Sequence, residues 1–210
     1  MQAKKGRGSL FIVSAPSGAG KTTLCAKVLS FIPNLHFSVS YTTRQPRAGE
    51  INEQDYTFVS REDFKSKIEK GEFVEWAEVH GELYGTSRDK IETLLDSGKD
   101  VILDIDTQGA LEIKKQYREG IHIFVLPPSF DALKTRLEKR KTDSRAEIKK
   151  RLRTALSEIK KYARYDYVII NDSFEDALKE LESIIIAQRA SVKKINPLWI
   201  KERFSNQEEQ

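Results

Sequence analysis

Leu10-Phe-Ile-Val-Ser-Ala-Pro-Ser-Gly-Ala-Gly-Lys-Thr22 is the stretch of sequence that decides the fold. Its first residues, 10–13, are apolar and bulky, which is typical of a buried strand. A loop containing Gly18 and Gly20 follows, and a helical pattern begins near Lys21. A strand, a glycine-rich loop and a helix in this order are what a phosphate-binding P-loop requires.

This loop predicts a site for ATP. In such loops the backbone N–H groups and the positive end of the following helix surround phosphate oxygens. Lys21 is expected to reach the β and γ phosphates, and Thr22 to place a hydroxyl on Mg²⁺. The first glycine of the usual pattern is replaced by Ala15, which is tolerated only where φ is negative. The predicted ATP-binding residues are Ala15, Pro16, Ser17, Gly18, Ala19, Gly20, Lys21 and Thr22.

Strands and helices alternate along the chain beyond the P-loop. Further apolar runs are typical of buried strands, and helical patterns lie between them. Because alternating strands and helices build a parallel sheet covered on both faces, the sequence predicts an α/β fold. The strand candidates are 101–105, 121–126 and 167–170, and the helices start near Ala110, Ser129, Arg145 and Ser173.

Residues 37–84 do not follow this alternation of strands and helices. Short strand candidates lie at 37–40, 56–59 and 73–79, with a helix at 61–70. Ser60 and Asp63 form a capping pair at the start of that helix, and Gly71 ends it. We therefore predict that residues 38–95 form an inserted subdomain of mixed α and β structure.

Two further groups of residues are candidates for binding a metal ion or a phosphate. Asp104 and Asp106 follow an apolar run, where a carboxylate beside a P-loop can reach Mg²⁺ directly or through water. The alternative is that these acids cap the next helix. Arg44 and Arg47, with Pro46 between them, could fork around a phosphate with bidentate geometry, although such a pair alone is more often a solvated basic turn.

The charge of the chain is concentrated in one segment. Residues 134–161 contain 12 Lys or Arg and 4 Asp or Glu, a local net charge of +8, whereas the whole chain carries +4. Such a segment fits either nucleic acid or closure over the phosphates of a small ligand. It lacks the interleaved aromatic residues that stack on bases, which disfavours nucleic acid as a partner.

The composition also indicates the cellular compartment of the protein. No run approaches the ~20 apolar residues that a membrane span needs, so no membrane partner is expected. The single cysteine, Cys25, allows no intrachain disulfide and suits a reducing compartment. We therefore predict a cytoplasmic protein in which Cys25 is a small buried apolar residue.

Several stretches together resemble the guanylate kinases. They are S-V-S-Y-T-T-R-Q-P-R-A-G-E at 38–50, D-Y-x-F-V-S at 55–60, F-V-E-W-A at 73–77, Y-G-T at 84–86 and I-L-D-I-D-x-Q-G at 102–109. The resemblance implies a P-loop nucleoside monophosphate kinase fold, with a parallel five-stranded core sheet, an inserted GMP-binding subdomain and a helical lid. It implies transfer of the γ-phosphoryl group of Mg·ATP to GMP, and to dGMP, in purine nucleotide metabolism.

The resemblance also implies roles for particular residues. Lys21 and Arg44 match catalytic positions, as do three lid arginines, Arg136, Arg140 and Arg151. Lys141 stands where the family usually has a glycine. The metal is expected at Thr22 and Asp104, and Asn171 and Asp172 are expected near the adenine side. The GMP phosphate is assigned to Arg44, Arg47, Tyr56 and Tyr84, and the guanine to Ser40, Glu75, Thr86 and Asp106.

The chemistry of guanine supports the role of Glu75 independently. Guanine presents two adjacent donors, N1–H and the 2-amino group, and a carboxylate presents two acceptors, whereas adenine has no such edge. A site left with unpaired polar groups can reject the wrong base by up to ~10⁴-fold. The alternative is that Glu75 is only the polar member of an alternating strand.

The predicted partition of the chain is core 1–37, GMP-binding subdomain 38–95, core 96–133, lid 134–155, core 156–190 and tail 191–210. Two other functions stay open: a kinase of this fold with another small phosphoacceptor, and a non-catalytic interaction module. Lys21, Thr22 and the lid arginines disfavour the module, and the complete GMP-type set disfavours another acceptor. The sequence is compatible with a monomer and with a homo-oligomer.

Overall fold

The computed structural model describes residues 6–47, 49–79, 81–139 and 144–204, and this part of the chain contains two β-sheets flanked by helices. Single turns of 3-10 helix lie at Tyr162–Arg164 and Val192–Lys194. The predicted lid residues Arg140 and Lys141 lie outside the described residues. In chain order, the strands and helices are β1 (Leu10–Ser14), α1 (Lys21–Leu29), β2 (Leu35–Phe37), β3 (Tyr41–Thr42), β4 (Thr57–Phe58), α2 (Arg61–Glu69), β5 (Phe73–Val79), β6 (Glu82–Ser87), α3 (Arg88–Asp96), β7 (Asp100–Asp104), α4 (Thr107–Gln116), β8 (Ile121–Leu126), α5 (Phe130–Lys139), α6 (Arg145–Ile159), β9 (Tyr167–Ile170), α7 (Phe174–Arg189) and α8 (Pro197–Phe204).

The larger sheet has five parallel strands in the order β2-β7-β1-β8-β9. Every residue of its central strand, β1, is buried, because helices cover both faces. Alternate residues of a strand point to opposite faces, so Phe11 joins an apolar cluster with Leu24 of α1, whereas Ile12 joins one with Ile113 of α4. The predicted parallel five-stranded α/β core is confirmed.

The smaller sheet has four strands in the order β4-β3-β6-β5. β6 pairs antiparallel with β3 and with β5, while β3 and β4 run parallel. Its apolar cluster is built on Phe64, Phe73 and Leu83, and the rings of Phe64 of α2 and Phe73 stack with centroids 4.5 Å apart. This sheet places the strands β5 and β6 beside the C-terminal ends of the core strands.

The helix α2 begins and ends as the sequence predicts. The Ser60 hydroxyl accepts a hydrogen bond from the backbone N–H of Asp63 at 3.0 Å, which satisfies one of the N–H groups that a helix start leaves without a partner. Gly71 follows the helix with φ of 66°, a left-handed conformation that glycine adopts readily.

Other elements differ from the predictions. The strand predicted at 37–40 is β2, at Leu35–Phe37, and it pairs with β7 in the larger sheet because Leu35 is buried in the main core. The strands β3 and β6 were not predicted. The helix α4 begins at Thr107 and not near Ala110, because Asp106 caps it.

The helix α3 packs on the larger sheet. Its residues Ile91 and Leu95 lie in the same apolar cluster as Leu10 and Val101, although the sequence prediction assigns residues up to 95 to the inserted subdomain. Among the residues that the structure describes, none of the helices is both long and apolar enough to cross a bilayer.

Candidate active site

The P-loop connects β1 to α1, and its two glycines adopt left-handed backbone conformations. Gly18 and Gly20 have φ of 94° and 93°, which side chains with a Cβ rarely adopt. Gly20 is the N-cap of α1, and within the described residues no side chain caps this helix start. The N–H groups of the loop and the positive end of α1 therefore form a site suited to an anion.

Ala15 fits the loop without backbone strain. Among the described residues, Asn34 and Glu53 are the only residues other than glycine with a positive φ. Ala15 therefore keeps the negative φ that alanine requires. Its side chain is 6% exposed and joins the main apolar cluster. The replacement of the usual glycine therefore leaves the P-loop intact.

Polar and apolar contacts support the P-loop from behind. The Asn171 side chain donates from Nδ2 to the Ala19 carbonyl at 2.7 Å, and Arg136 donates to the Asn171 carbonyl at 2.8 Å. A Cβ built at Gly18 would lie 2.9 Å from Leu137 Cδ2, which shows how closely α5 packs under the loop. Arg136, predicted to be a catalytic arginine of the lid, here donates hydrogen bonds to backbone carbonyls next to the P-loop.

Lys21 lies at the C-terminal ends of the core strands. Its ammonium group donates to the Asp104 carboxylate and, at 2.8 Å, to the Ile105 carbonyl. Asp104 therefore pairs with the P-loop lysine. The alternative that an acid caps the next helix holds for Asp106, whose Oδ1 accepts from the N–H groups of Gln108 at 2.7 Å and Gly109 at 2.9 Å.

The oxygen ligands predicted for a metal lie along one cavity. Thr22 and Asp104 both line a space of about 390 Å³ next to α1. A hydroxyl and a carboxylate are hard oxygen ligands of the kind that Mg²⁺ prefers. In the described ranges no group of three or more His, Cys, Asp or Glu side chains could hold a metal, and kinase Mg²⁺ sites typically combine one or two carboxylates with substrate phosphates.

A second cavity, of about 330 Å³, lies between the two sheets. Asp104 lines both cavities, so the second cavity adjoins the P-loop lysine. Among the predicted GMP-binding residues only Thr86 does not line it, and Thr86 is buried beside Glu75. The lining residues are Ser40, Arg44, Arg47, Glu50, Tyr56, Glu75, Ala77, Tyr84, Gly85, Asp104, Ile105 and Asp106.

Glu50 holds the two arginines of this cavity. Its carboxylate accepts two hydrogen bonds from Arg44 Nη2, at 2.8 and 3.0 Å, and one from the Arg47 backbone N–H at 2.7 Å. The hydrogen bond from Arg44 lowers the pKa of Glu50, and the Arg47 N–H lowers it further. The Arg44 guanidinium also lies 5.4 Å from the centre of the Tyr56 ring, so it is held beside the cavity in one orientation.

Glu75 extends from β5 into the same cavity. Its Oε1 accepts a hydrogen bond from Thr86 Oγ1 at 2.5 Å. Burial raises the pKa of Glu75 to about 7, and the nearby Asp106 raises it too, while the Thr86 hydrogen bond opposes both. A carboxyl group with its pKa near neutrality, inside a cavity, is typical of a ligand-binding position.

Sequence reasoning missed the role of Glu50 and the support of the P-loop by Asn171. Glu50 closes the R-Q-P-R-A-G-E stretch, so an acid three residues after Arg47 was the available signal. Arg151 lies on α6 and is partly buried. The roles of the predicted site residues stay predictions, although the structure brings most of them together around two adjoining cavities.

Comparison with known proteins connects this arrangement to one family. The family model described as guanylate kinase matches residues 7–188. The chain is 52% identical over 185 residues to a guanylate kinase of Geobacter metallireducens, covering 88% of this chain and 91% of that protein. It is 49% identical to one of Geobacter sulfurreducens, covering 91% and 94%.

A solved structure agrees with these sequence relatives. The guanylate kinase of Anaplasma phagocytophilum superposes with a TM-score of 0.76 at 33% identity, covering 96% of this chain and 97% of that one. The chain belongs to the guanylate kinase family.

Proposed function

We propose that this chain transfers the γ-phosphoryl group of ATP to GMP, giving ADP and GDP. One observation carries the proposal: Asp104 lies between the P-loop lysine and a cavity lined by two arginines and Glu75. A donor phosphate on the P-loop and an acceptor phosphate near Arg44 would therefore meet at the C-terminal ends of the core strands. This is where ligands bind in open α/β sheets.

On the donor side, the P-loop N–H groups and Lys21 bind the phosphates of ATP. Phosphoryl transfer needs mainly positioning and charge stabilisation from the protein. Thr22 and Asp104 would hold Mg²⁺, which when bound neutralises charge on the β and γ phosphate oxygens. Arg136, Arg140 and Arg151 would stabilise the charge of the transferred group.

On the acceptor side, Arg44, Arg47, Tyr56 and Tyr84 bind the phosphate of GMP. The Glu50 contacts hold Arg44 in place before the substrate arrives, which reduces the entropy lost on binding. Glu75 accepts hydrogen bonds from guanine N1–H and the 2-amino group, and Ser40, Thr86 and Asp106 complete the base site. An adenine in this position would leave the carboxylate unpaired, so GMP is preferred over AMP.

Closure of the site is part of the proposal. The subdomain 38–95 and the lid 134–155 would move over the two nucleotides, since water must be kept from the transferred phosphoryl group. Small-angle scattering should then show compaction with both nucleotides bound, and an unchanged radius of gyration would exclude closure.

A coupled assay of ADP formation tests the function. The chain is offered Mg·ATP with GMP, dGMP, AMP, CMP or UMP in turn, and turnover is expected with GMP and dGMP. Turnover with AMP, CMP or UMP but not GMP would identify a kinase with another acceptor. Absence of turnover with all five would favour a non-catalytic module.

Lys21→Ala tests the donor site in the same assay. Removing one charged group that stabilises the transition state lowers kcat by roughly 10²- to 10³-fold or more, while GMP binding measured by calorimetry stays largely intact. Lys27→Ala is the matched control, because Lys27 lies in the last turn of the same helix and is exposed. A near-normal kcat for Lys21→Ala would exclude the P-loop assignment.

A further inference from the structure

Glu75 is enclosed between two elements of the fold. On one side, Thr86 of β6 donates to Oε1 at 2.5 Å. On the other side, the carboxylate lies against the first turn of α4, at Gly109. The position of the carboxylate in the cavity therefore depends on both neighbours.

Gly109 leaves no room for a side chain. A Cβ built on it would lie 2.9 Å from Glu75 Oε2, 3.2 Å from Cδ and 3.5 Å from Cγ. The first of these distances is shorter than real Cβ contacts, so the Glu75 side chain would have to shift.

Backbone conformation does not explain the glycine. Gly109 lies in the first turn of α4, and its φ is not among the positive values found in the described residues. In a helix, glycine is less favourable than alanine. The helix itself would therefore tolerate alanine at this position, and what excludes a side chain is the carboxylate of Glu75.

We propose that Gly109 is a specificity-determining position, which allows the Glu75 carboxylate to lie against α4 in the orientation that reads guanine. The inference rests on the proposed function, in which Glu75 binds the base. A methyl group at position 109 displaces the end of a flexible side chain and not the backbone, so the protein folds. The displaced carboxylate no longer aligns both of its oxygens with the two guanine donors.

Gly109→Ala is the direct test, with thermal unfolding measured beside kinetics. We expect a Tm equal to or above that of the original chain, and a KM for GMP raised on the order of ten- to a hundredfold, the scale of an ångström-sized misplacement in a site. The KM for ATP should change little, and the preference for GMP over AMP should fall. Glu112→Ala is the control, because this exposed side chain on α4 pairs only with Lys115 among the interactions described.

A double-mutant cycle with Glu75→Ala, which removes the atoms that a side chain at position 109 would displace, separates positioning from a general effect on the site. If Gly109 acts through Glu75, adding Gly109→Ala to Glu75→Ala raises the KM for GMP by much less than it does in the original chain. Equal effects in both backgrounds would overturn the inference, as would an unchanged KM for GMP in a folded Gly109→Ala variant. Failure of the original chain to phosphorylate GMP would instead refute the proposed function.

Discussion

Glu75 is the residue whose protonation should control acceptor binding. Because burial raises its pKa to about 7, the group is partly protonated at neutral pH, whereas the two guanine donors require the carboxylate. GMP affinity should therefore be full above the pKa and fall as the pH drops through it, by up to about tenfold per pH unit. Calorimetric titration of GMP from about pH 5.5 to 8.5 measures this dependence.

Glu75→Gln is the matched variant for this prediction. It should weaken GMP binding by about 1.5–3 kcal/mol, the scale of a hydrogen bond to a charged group, and remove the dependence near pH 7. The phosphate group of the nucleotide titrates near pH ~6, and its contribution stays in both proteins. An unchanged preference for GMP over AMP in Glu75→Gln would exclude Glu75 from base recognition.

Single residues differ in how far the sequence could reveal them. Lys21 and Thr22 could be predicted because the P-loop is one continuous stretch of sequence, and its glycines, lysine and threonine are the residue types that bind phosphate and Mg²⁺. Asn171 could not, since its contact with Ala19 joins residues 152 positions apart. The same holds for Gly109, whose importance depends on a contact with β5 that only the folded chain creates.

The P-loop as an element depends on the buried side chain of Asn171. Asn171→Ala removes the donor to the Ala19 carbonyl and should lower the free energy of unfolding by about 1–3 kcal/mol. Asn171→Asp should lower it at least as much, because a carboxylate oxygen would face the carbonyl oxygen. Urea unfolding measures both, with the exposed neighbour in Asp172→Ala as control. An Asn171→Asp variant within about 0.5 kcal/mol of the original chain would contradict this role.

Elements with many buried apolar residues were predictable, whereas the two-residue strand β3 was not, and β4 was predicted as part of a longer strand at 56–59. β1 and β8 are five and six residues long and mostly buried, so their composition identifies them. β3 has two residues, too few to show an alternating pattern, and it exists because β4 and β6 offer backbone partners. The location of β3 therefore depends on tertiary pairing and not on local sequence.

His122 of β8 should make a pH-dependent contribution to the stability of the whole molecule. This side chain is 1% exposed, and its Nε2 has no hydrogen-bond partner among the described residues. Burial lowers the pKa of His122 to about 4, and Lys114 lowers it further, against the opposing effect of Asp166. The unfolded chain, with a histidine pKa near ~6.5, therefore binds more protons than the folded chain between these values.

The sign of this effect follows from proton binding. The contribution of His122 to stability is full above pH ~6.5 and is progressively lost as the pH falls toward ~4, by roughly 3 kcal/mol in total. Glu75, whose pKa burial raises, contributes with the opposite sign, so the difference between this chain and a variant without His122 isolates the histidine. Urea unfolding at several pH values measures it, and His122→Leu should show a shallower loss, because the titrating group is gone. Equal slopes for the two proteins over this range would contradict the prediction.

The cavity between the two sheets is assembled from distant parts of the chain. Ser40, Glu75 and Asp106 come from separate parts of the chain and line one cavity. The sequence predicts a parallel core sheet. The position of the smaller sheet depends on contacts such as the hydrogen bond from the Gln116 side chain to the Val74 carbonyl at 2.6 Å. That these residues share one site could be expected only from the resemblance to the guanylate kinases, and not from the spacing of the residues in the sequence.

Because the single thiol of the chain is buried, modification of Cys25 reports the separation of α1 from the core sheet. Cys25 lies on the buried face of α1 and is 2% exposed, and burial raises its pKa. Alkylating reagents should therefore modify it only when α1 separates from the sheet. A nucleotide at about 100 times its Kd should slow that modification by roughly a hundredfold. Rapid alkylation of the native chain, unaffected by ATP, would show that this helix opens independently of the site it supports.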